Sequence, residues 1–298
     1  MPQLSARRRR PFRFPKLSAW LDSLPFLGMH VACLAVFTTS VHTVDWIMAG
    51  VLYFVRMFGI TAGYHRYFAH RSYKTSRPFQ FVLAWLGGSA LQKGPLWWAA
   101  HHRHHHRHSD EPPDLHSPVV ESFWHAHVGW ILDPKNDATD YTAIADFAKY
   151  PELVWLNRWH WVPGLVTAAG CFGLSLLYGT GWGGLVAFVV STVVLYHATF
   201  MINSLAHVFG SRRYETTDDS RNNFALALVT LGEGWHNNHH HYQSAARQGF
   251  FWWEVDVSYY TLKALSQVGL VWDLREPPKR LLEAPYNKPG GSAPRKTN

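Results

Sequence analysis

Residues 46–64 read WIMAGVLYFVRMFGITAGY and run unbroken into His65-Arg-Tyr-Phe-Ala-His70. A helix needs about 20 mostly apolar residues to cross a bilayer, and Trp46–Tyr64 comes close to that. Leu24–Val41, Val162–Tyr178 and Gly184–Leu205 do the same. The four stretches form two pairs, joined by Thr39–Asp45 and Tyr178–Gly184, and neither connection contains Lys or Arg. Arg7–Arg10, Arg13 and Lys16 stand before the first stretch. Lys and Arg gather on the cytoplasmic side, so this pattern predicts two hairpins dipping in from the cytoplasm, with both termini and the long middle segment inside. A cleaved secretory signal fits poorly. No convincing small-residue cleavage pattern follows the first stretch, and three more apolar stretches come later.

Composition agrees with a membrane protein. The 298 residues are 47% apolar and only 16% charged, against about 25% charged in ordinary soluble domains. Fifteen Trp suit a chain that meets the membrane–water boundary. The mean hydropathy of −0.15 is pulled down by 20 His. Cys33 and Cys171 lie in apolar runs with no Cys-x-x-Cys pair, which excludes a disulfide scaffold. The net charge of +8 needs no nucleic acid, because the basic N-terminus suits anionic headgroups. The reading therefore divides the chain into a basic stretch 1–23, a body 24–276 and a disordered tail 277–298 rich in Pro, Gly, Ser and Lys. Phe79–Ala100, interrupted by Gly87, Gly88, Gln92, Lys93 and Pro95, reads as an interfacial or partly re-entrant helix. Arg56 sits inside the second stretch and calls for a partner within the bundle.

The histidines fall in three tight groups: His65 with His70, His101–His108, and His236 with His239–His241. His102, His105 and His106 are spaced i, i+3, i+4, as are His236, His239 and His240, so each trio shares a helix face. Asn203 and His207 share another. His101, His104, His108 and His241 point elsewhere on that spacing. His65 and His70 are five apart, which requires the helix to loosen or turn between them. A metal-scavenging tract would explain the run at His101–His108 alone. Three groups at the cytoplasmic ends of the hairpins converge on one site instead. The sorting leaves His65, His70, His102, His105, His106, His207, His236, His239 and His240. Nine imidazoles exceed what one ion takes and suit two metals. Imidazole binds iron, copper, zinc and nickel alike, so ligand type leaves the metal open.

With those elements in place, the sequence resembles the membrane fatty-acid desaturases, in their acyl-CoA delta-nine branch. The resemblance rests on Gly59-Ile-Thr-Ala-Gly-Tyr-His65-Arg with His70-Arg-Ser-Tyr-Lys, His102-Arg-x-His105-His106, and His127-Val-Gly-Trp130. It continues with Asn203-Ser-x-x-His207 and Gly232-Glu-Gly-Trp-His236-Asn-Asn-His239-His240, all in the family's order between about residues 50 and 245. It implies an all-α protein of the bacterial inner membrane, with four transmembrane helices capped by a cytosolic helical domain. It further implies two irons held by the nine His, Asn203 reaching one metal through a water, and His127 orienting a ligand from behind. The reaction implied is O2-dependent insertion of a cis delta-nine double bond into a saturated acyl chain held in a bent tunnel. Iron cycles between redox states where zinc does not. Electrons would come from an external ferredoxin, rubredoxin or cytochrome. Tyr53 and Met57 lie on one face of the second stretch and are expected to limit chain length at the tunnel's end.

Two departures bear on the acyl carrier. Ala100 stands where animal acyl-CoA members carry Arg, and Pro134-Lys135 where they carry Arg-Lys. Those residues would contact the CoA phosphates, so CoA, acyl carrier protein and membrane lipid all stay open. Two other functions compete. A membrane hydroxylase or alkane monooxygenase would use the same kind of site and differ in product. A metal transporter would need ionisable residues along the bilayer midplane, where the chain offers only a cation, Arg56.

Overall fold

A computed structural model describes residues 17–283. The basic stretch Arg7–Lys16 lies outside the described residues, as does most of the expected tail. Residues 277–283 of that tail are described and include a helical turn, Lys279–Leu282.

Helices dominate. In chain order they are α1 Leu17–Ala32, α2 Thr43–Phe58, α3 Arg77–Gly88, α4 Pro95–His108, α5 Ala145–Ala148, α6 Pro151–Arg158, α7 Val162–Leu177 and α8 Gly183–Ser204. Then come α9 Phe224–Val229, α10 His236–His241, α11 Val257–Gln267 and α12 Lys279–Leu282. One small antiparallel sheet departs from an all-helical chain, pairing β1 (Lys74–Thr75) with β2 (Val271–Trp272). Local chemistry fixes the helix starts. Ser76, Asn223 and Asp256 accept backbone N–H groups at the starts of α3, α9 and α11, satisfying donors that the first helical turn leaves unpaired. Phe79–Ala100 is not one interfacial helix. It divides into α3 and α4 at Ser89–Gly94, where Leu91 and Lys93 adopt φ of 57° and 66°.

Among the described residues, two continuous helices, Thr43–Ala69 and Gly183–His207, are long and apolar enough to cross a membrane. The pair α6 and α7, bent by 71°, makes a third if it counts as one span. The first expected span appears as a shorter apolar helix, Ser23–Phe37. α8 is central, packing against α2, α7 and α1. Its start is held close to α7 by Gly184, where an added Cβ would lie 2.3 Å from the Cys171 carbonyl oxygen. Small residues permit such approach where two apolar helices meet.

Arg56 finds its partners on α8. Its guanidinium donates to Ser191 Oγ at 2.5 Å and Thr192 Oγ1 at 2.6 Å, and reaches the Leu52 and Ser89 carbonyls at 3.1 and 3.5 Å. The two hydroxyls still donate to the Ala187 and Phe188 carbonyls, so they accept the cation while keeping their own bonds. Arg56→Met should therefore barely move the thermal midpoint in detergent, since both hydroxyls keep their own donations and only the Ser89 carbonyl loses a long 3.5 Å contact. Ser191→Ala with Thr192→Val, keeping Arg56, strands a buried cation and should cost about 3–5 kcal/mol by the same melt.

Candidate metal centre

The end of the second apolar stretch explains how His65 and His70 come together. Gly59–Ala69 is a π-helix, whose bonds run from residue i to i+5. The His70 N–H donates to the His65 carbonyl at 3.1 Å, and the two rings lie 4.8 Å apart. A π-turn brings residues five apart onto one face, which a regular α-helix would not do. Close packing accompanies the wider winding: a Cβ on Gly59 would sit 2.5 Å from the Leu86 carbonyl carbon.

The nine sorted histidines form two adjacent groups. His65, His70, His102, His106 and His239 make the first, and His105, His207, His236 and His240 the second, with all donor atoms of a group within 4.8 Å of one another. α4 and α10 each serve both groups. His102 and His106 turn one way from α4 and His105 the other. His239 joins the first group while His236 and His240 join the second. His101, His104 and His241 place a ring nitrogen near the carbonyls of Trp97, Pro113 and Glu215 instead. Asn203 lies on a cavity wall beside His102. His127 sits farther back, its ring nitrogens 3.0 Å from Ser204 Oγ and from His197 Nδ1.

Four carboxylates that sequence reading did not assign complete the arrangement. Glu233 approaches His65 Nδ1 at 2.5 Å, Asp114 His105 Nδ1 at 3.0 Å, Asp110 His207 Nδ1 at 2.9 Å, and Asp218 His240 Nδ1 at 2.5 Å. Burial works to raise these carboxyls, but the imidazoles beside them prevail. His207 helps hold Asp110 down at about 2, while Asp114, Asp218 and Glu233 stay below the usual carboxylate range. Each ionised carboxylate accepts a hydrogen bond from Nδ1–H and so turns Nε2 inward. Glu233 is itself gripped by Arg66 at 3.0 Å, which also pairs with Asp256 at 2.9 Å. The only sequence signal for these acids was their placement soon after, or just before, the histidine runs.

The donor set fits metal ions. Nε2 atoms meet head to head: His65 with His239 at 3.0 Å, His239 with His106 at 3.0 Å, and His106 with His102 at 2.9 Å. His102 meets His70 at 2.9 Å, and His207 meets His236 at 3.0 Å. Donors about 2.1 Å from one ion lie about 3.0 Å apart at right angles and about 3.4 Å apart at the tetrahedral angle. The spacing therefore matches right-angled coordination better than the tetrahedron of structural zinc. Burial, reinforced by neighbouring imidazoles, keeps His70, His102, His106, His236 and His239 well below their ordinary range. They are neutral lone-pair donors. His240 Nε2 is buried with no partner at all, an acceptor waiting for a cation.

Two cavities with a common wall, an inner and an outer lobe, border the first group. The inner lobe is lined by Met57, Ile60 and Ile202, the outer lobe by Phe26, Trp97 and Trp130, and the lobes share Trp98, His102, Thr199 and Asn203.

Comparison with known proteins now decides the family. The fatty acid desaturase family model matches residues 44–270. The chain belongs to that family. It is 37% identical over 262 residues to an sn-1 stearoyl-lipid 9-desaturase of Anabaena variabilis, covering 86% of this chain and 93% of that one. It is 38% identical to a probable acyl-CoA desaturase of Schizosaccharomyces pombe, over 86% of this chain but only 54% of that longer protein. A hex-5-enoyl-[acyl-carrier protein] acetylenase of Moorena producens matches at 33%, over 88% of this chain and 86% of its own.

Asp218→Ala should free the His240 ring to turn away. Metal titration of the detergent-solubilised protein should then read an affinity about 10- to 100-fold weaker. Unchanged affinity would remove the carboxylate from the site.

Proposed function

We propose that this desaturase holds two irons in its two histidine groups and inserts a cis delta-nine double bond into a saturated acyl chain. The observation that carries the reading is the convergence of inward-facing Nε2 lone pairs beside an elongated apolar cavity. Bound iron would supply the O2-dependent redox chemistry that removes two hydrogens from an unactivated methylene pair. The reaction consumes O2, two electrons and two protons and releases two waters, so an external ferredoxin-, rubredoxin- or cytochrome-type protein must deliver the electrons.

The chain's own work is positional. Trp98, Thr199 and Asn203 form the wall common to both lobes, and an acyl chain running from one lobe to the other would pass His102 there. Holding the methylene pair there exchanges a search in solution for a fixed geometry. Asn203 would reach one iron through a water, and His127 would act through Ser204 rather than on a ligand. The Lys and Arg distribution supports four apolar helices in two hairpins, with the metal site and both termini cytoplasmic in a bacterial inner membrane. CoA, acyl carrier protein and membrane lipid are all named among the acyl carriers of relatives, and each presents the same alkyl chain to this cavity.

The decisive experiment is expression in a host lacking unsaturated fatty acids, with gas chromatography of its lipids. The wild-type chain should yield a new monounsaturated acid. A hydroxy acid instead would turn the reading to a hydroxylase. His105→Ala and His239→Ala each remove a ligand from one group and should abolish the product while the protein stays folded in the membrane.

Met57 is 1% exposed and lines the inner lobe, so its side chain limits the room beyond the double bond. Tyr53 donates to the Val229 carbonyl at 2.5 Å and braces the same end. Met57→Gly should shift the product profile toward longer chains in the same assay; an unchanged profile would place the stop elsewhere.

A further inference from the structure

The outer lobe, about 700 Å³ in volume, carries two polar groups that the account so far does not use. Trp130 is 7% exposed and His116 4%, both line this lobe, and their rings lie 4.9 Å apart. Trp130 Nε1 and His116 Nδ1 are buried with no hydrogen-bond partner. Among the described residues lining the lobe, they alone carry such a group. Three neighbouring polar groups are occupied. Trp97 Nε1 donates to the Asn136 carbonyl, Gln92 to Thr199, and Lys93 is paired with Asp137 at 2.8 Å.

An indole N–H only donates. Leaving it buried and unpaired costs free energy that native structures rarely bear without a reason. The missing partner is therefore an acceptor, brought by whatever fills the lobe. An acyl chain is hydrocarbon except at its carrier end, where the carbonyl oxygen of an ester or thioester accepts two hydrogen bonds. The imidazole has one N–H to give, and its ring lies 4.3 Å from that of His105, a member of the second histidine group. The backbone fixes the pair: the Asn136 amide donates to the Trp130 carbonyl at 2.7 Å, and the His116 N–H donates to Asp114 at 3.3 Å.

We infer that Trp130 and His116 bind the carbonyl oxygen of the acyl substrate and thereby count the carbons from the carboxyl end to the metal site. This rests on the reading of the cavity as the acyl site. Met57 would limit the methyl end, and this pair would fix the other. The position of the double bond is then set by the distance between the carbonyl pair and the histidine groups, whatever carrier follows the carbonyl.

The test uses Trp130→Phe, which keeps the ring and removes the N–H, and His116→Leu. Metal-free protein is loaded with methyl stearate carrying 13C at the carbonyl and followed by isotope-edited infrared spectroscopy. In wild type the carbonyl band should move to lower wavenumber than in detergent alone. Each variant should lose part of that shift, and the double variant all of it. In the expressing host, the variants should make about tenfold less product, with the double bond spread over neighbouring positions by mass spectrometry of dimethyl disulfide adducts. A bound ester with an unshifted band, as when Trp130 and His116 satisfy each other, would overturn the inference. So would variants that keep a single double-bond position, because a purely structural role lowers yield without moving the bond. If the ester does not bind and wild type makes no unsaturated acid, the acyl reading of the cavity falls as well.

Discussion

Lone pairs that face one another at 3.0 Å in a buried site repel, and this fold is arranged to keep them there. A neutral imidazole has one N–H and one lone pair, and left to itself it would turn to pair the two. Glu233, Asp114, Asp110 and Asp218 forbid that by holding Nδ1–H of His65, His105, His207 and His240. Four buried anions then lie behind the imidazoles. Without cations at the centre, the cluster combines desolvated charge with unpaired acceptors, both costly in low dielectric. Metal binding would offset both at once, so the affinity of the site and the stability of the surrounding helices are linked.

That requirement reaches into the helices. Ligands arrive from the π-stretch after α2, from α4, from the end of α8 and from α10, which are far apart in sequence. Bringing His65 and His70 to one centre needs the π-turn, and the close seating of Gly59 on the Leu86 backbone accompanies it. α10 is only His236–His241, too short to be stable by itself. Its position comes from Asn222, whose side chain accepts the N–H groups of Asn237 and Asn238 at 2.9 and 3.1 Å. Asn237 in turn accepts the Arg213 and Tyr214 N–H groups at 2.8 and 2.7 Å. The asparagines between the histidines hold the helix; the histidines serve the centre.

Much of this was legible in the sequence, because hydropathy and helical spacing are local. The i, i+3, i+4 pattern sorted His102, His105 and His106 from His101, His104 and His108 without knowledge of the fold. The same pattern could not say that His105 would serve a different group from its neighbours, since that depends on where α10 lies across the gap. Nor could it find Asp218, 22 residues from His240, or Thr192, 136 residues from Arg56. Such partners are set by tertiary packing. The break between α3 and α4 was hidden for a related reason. Gly87, Gly88 and Pro95 signal an interruption but not its direction, and here the chain turns so that α4 carries the second histidine run into the site.

Buried polar groups beside the histidine groups and the cavity differ from the buried arginines in where their partners lie. Arg56 and Arg66 are among the largest fully buried side chains, yet every direction of each guanidinium meets an acceptor of the chain itself. Neither needs a partner from outside: Arg56 ties α2 to α8, and Arg66 holds Glu233 behind His65. His240 Nε2, Trp130 Nε1 and His116 Nδ1 are buried too and meet nothing. A chain that satisfies two fully buried arginines has the means to satisfy an indole N–H as well. That it leaves these groups open beside a metal-type cluster and an apolar cavity argues that their partners come from outside: a cation for His240, an oxygen acceptor for Trp130 and His116.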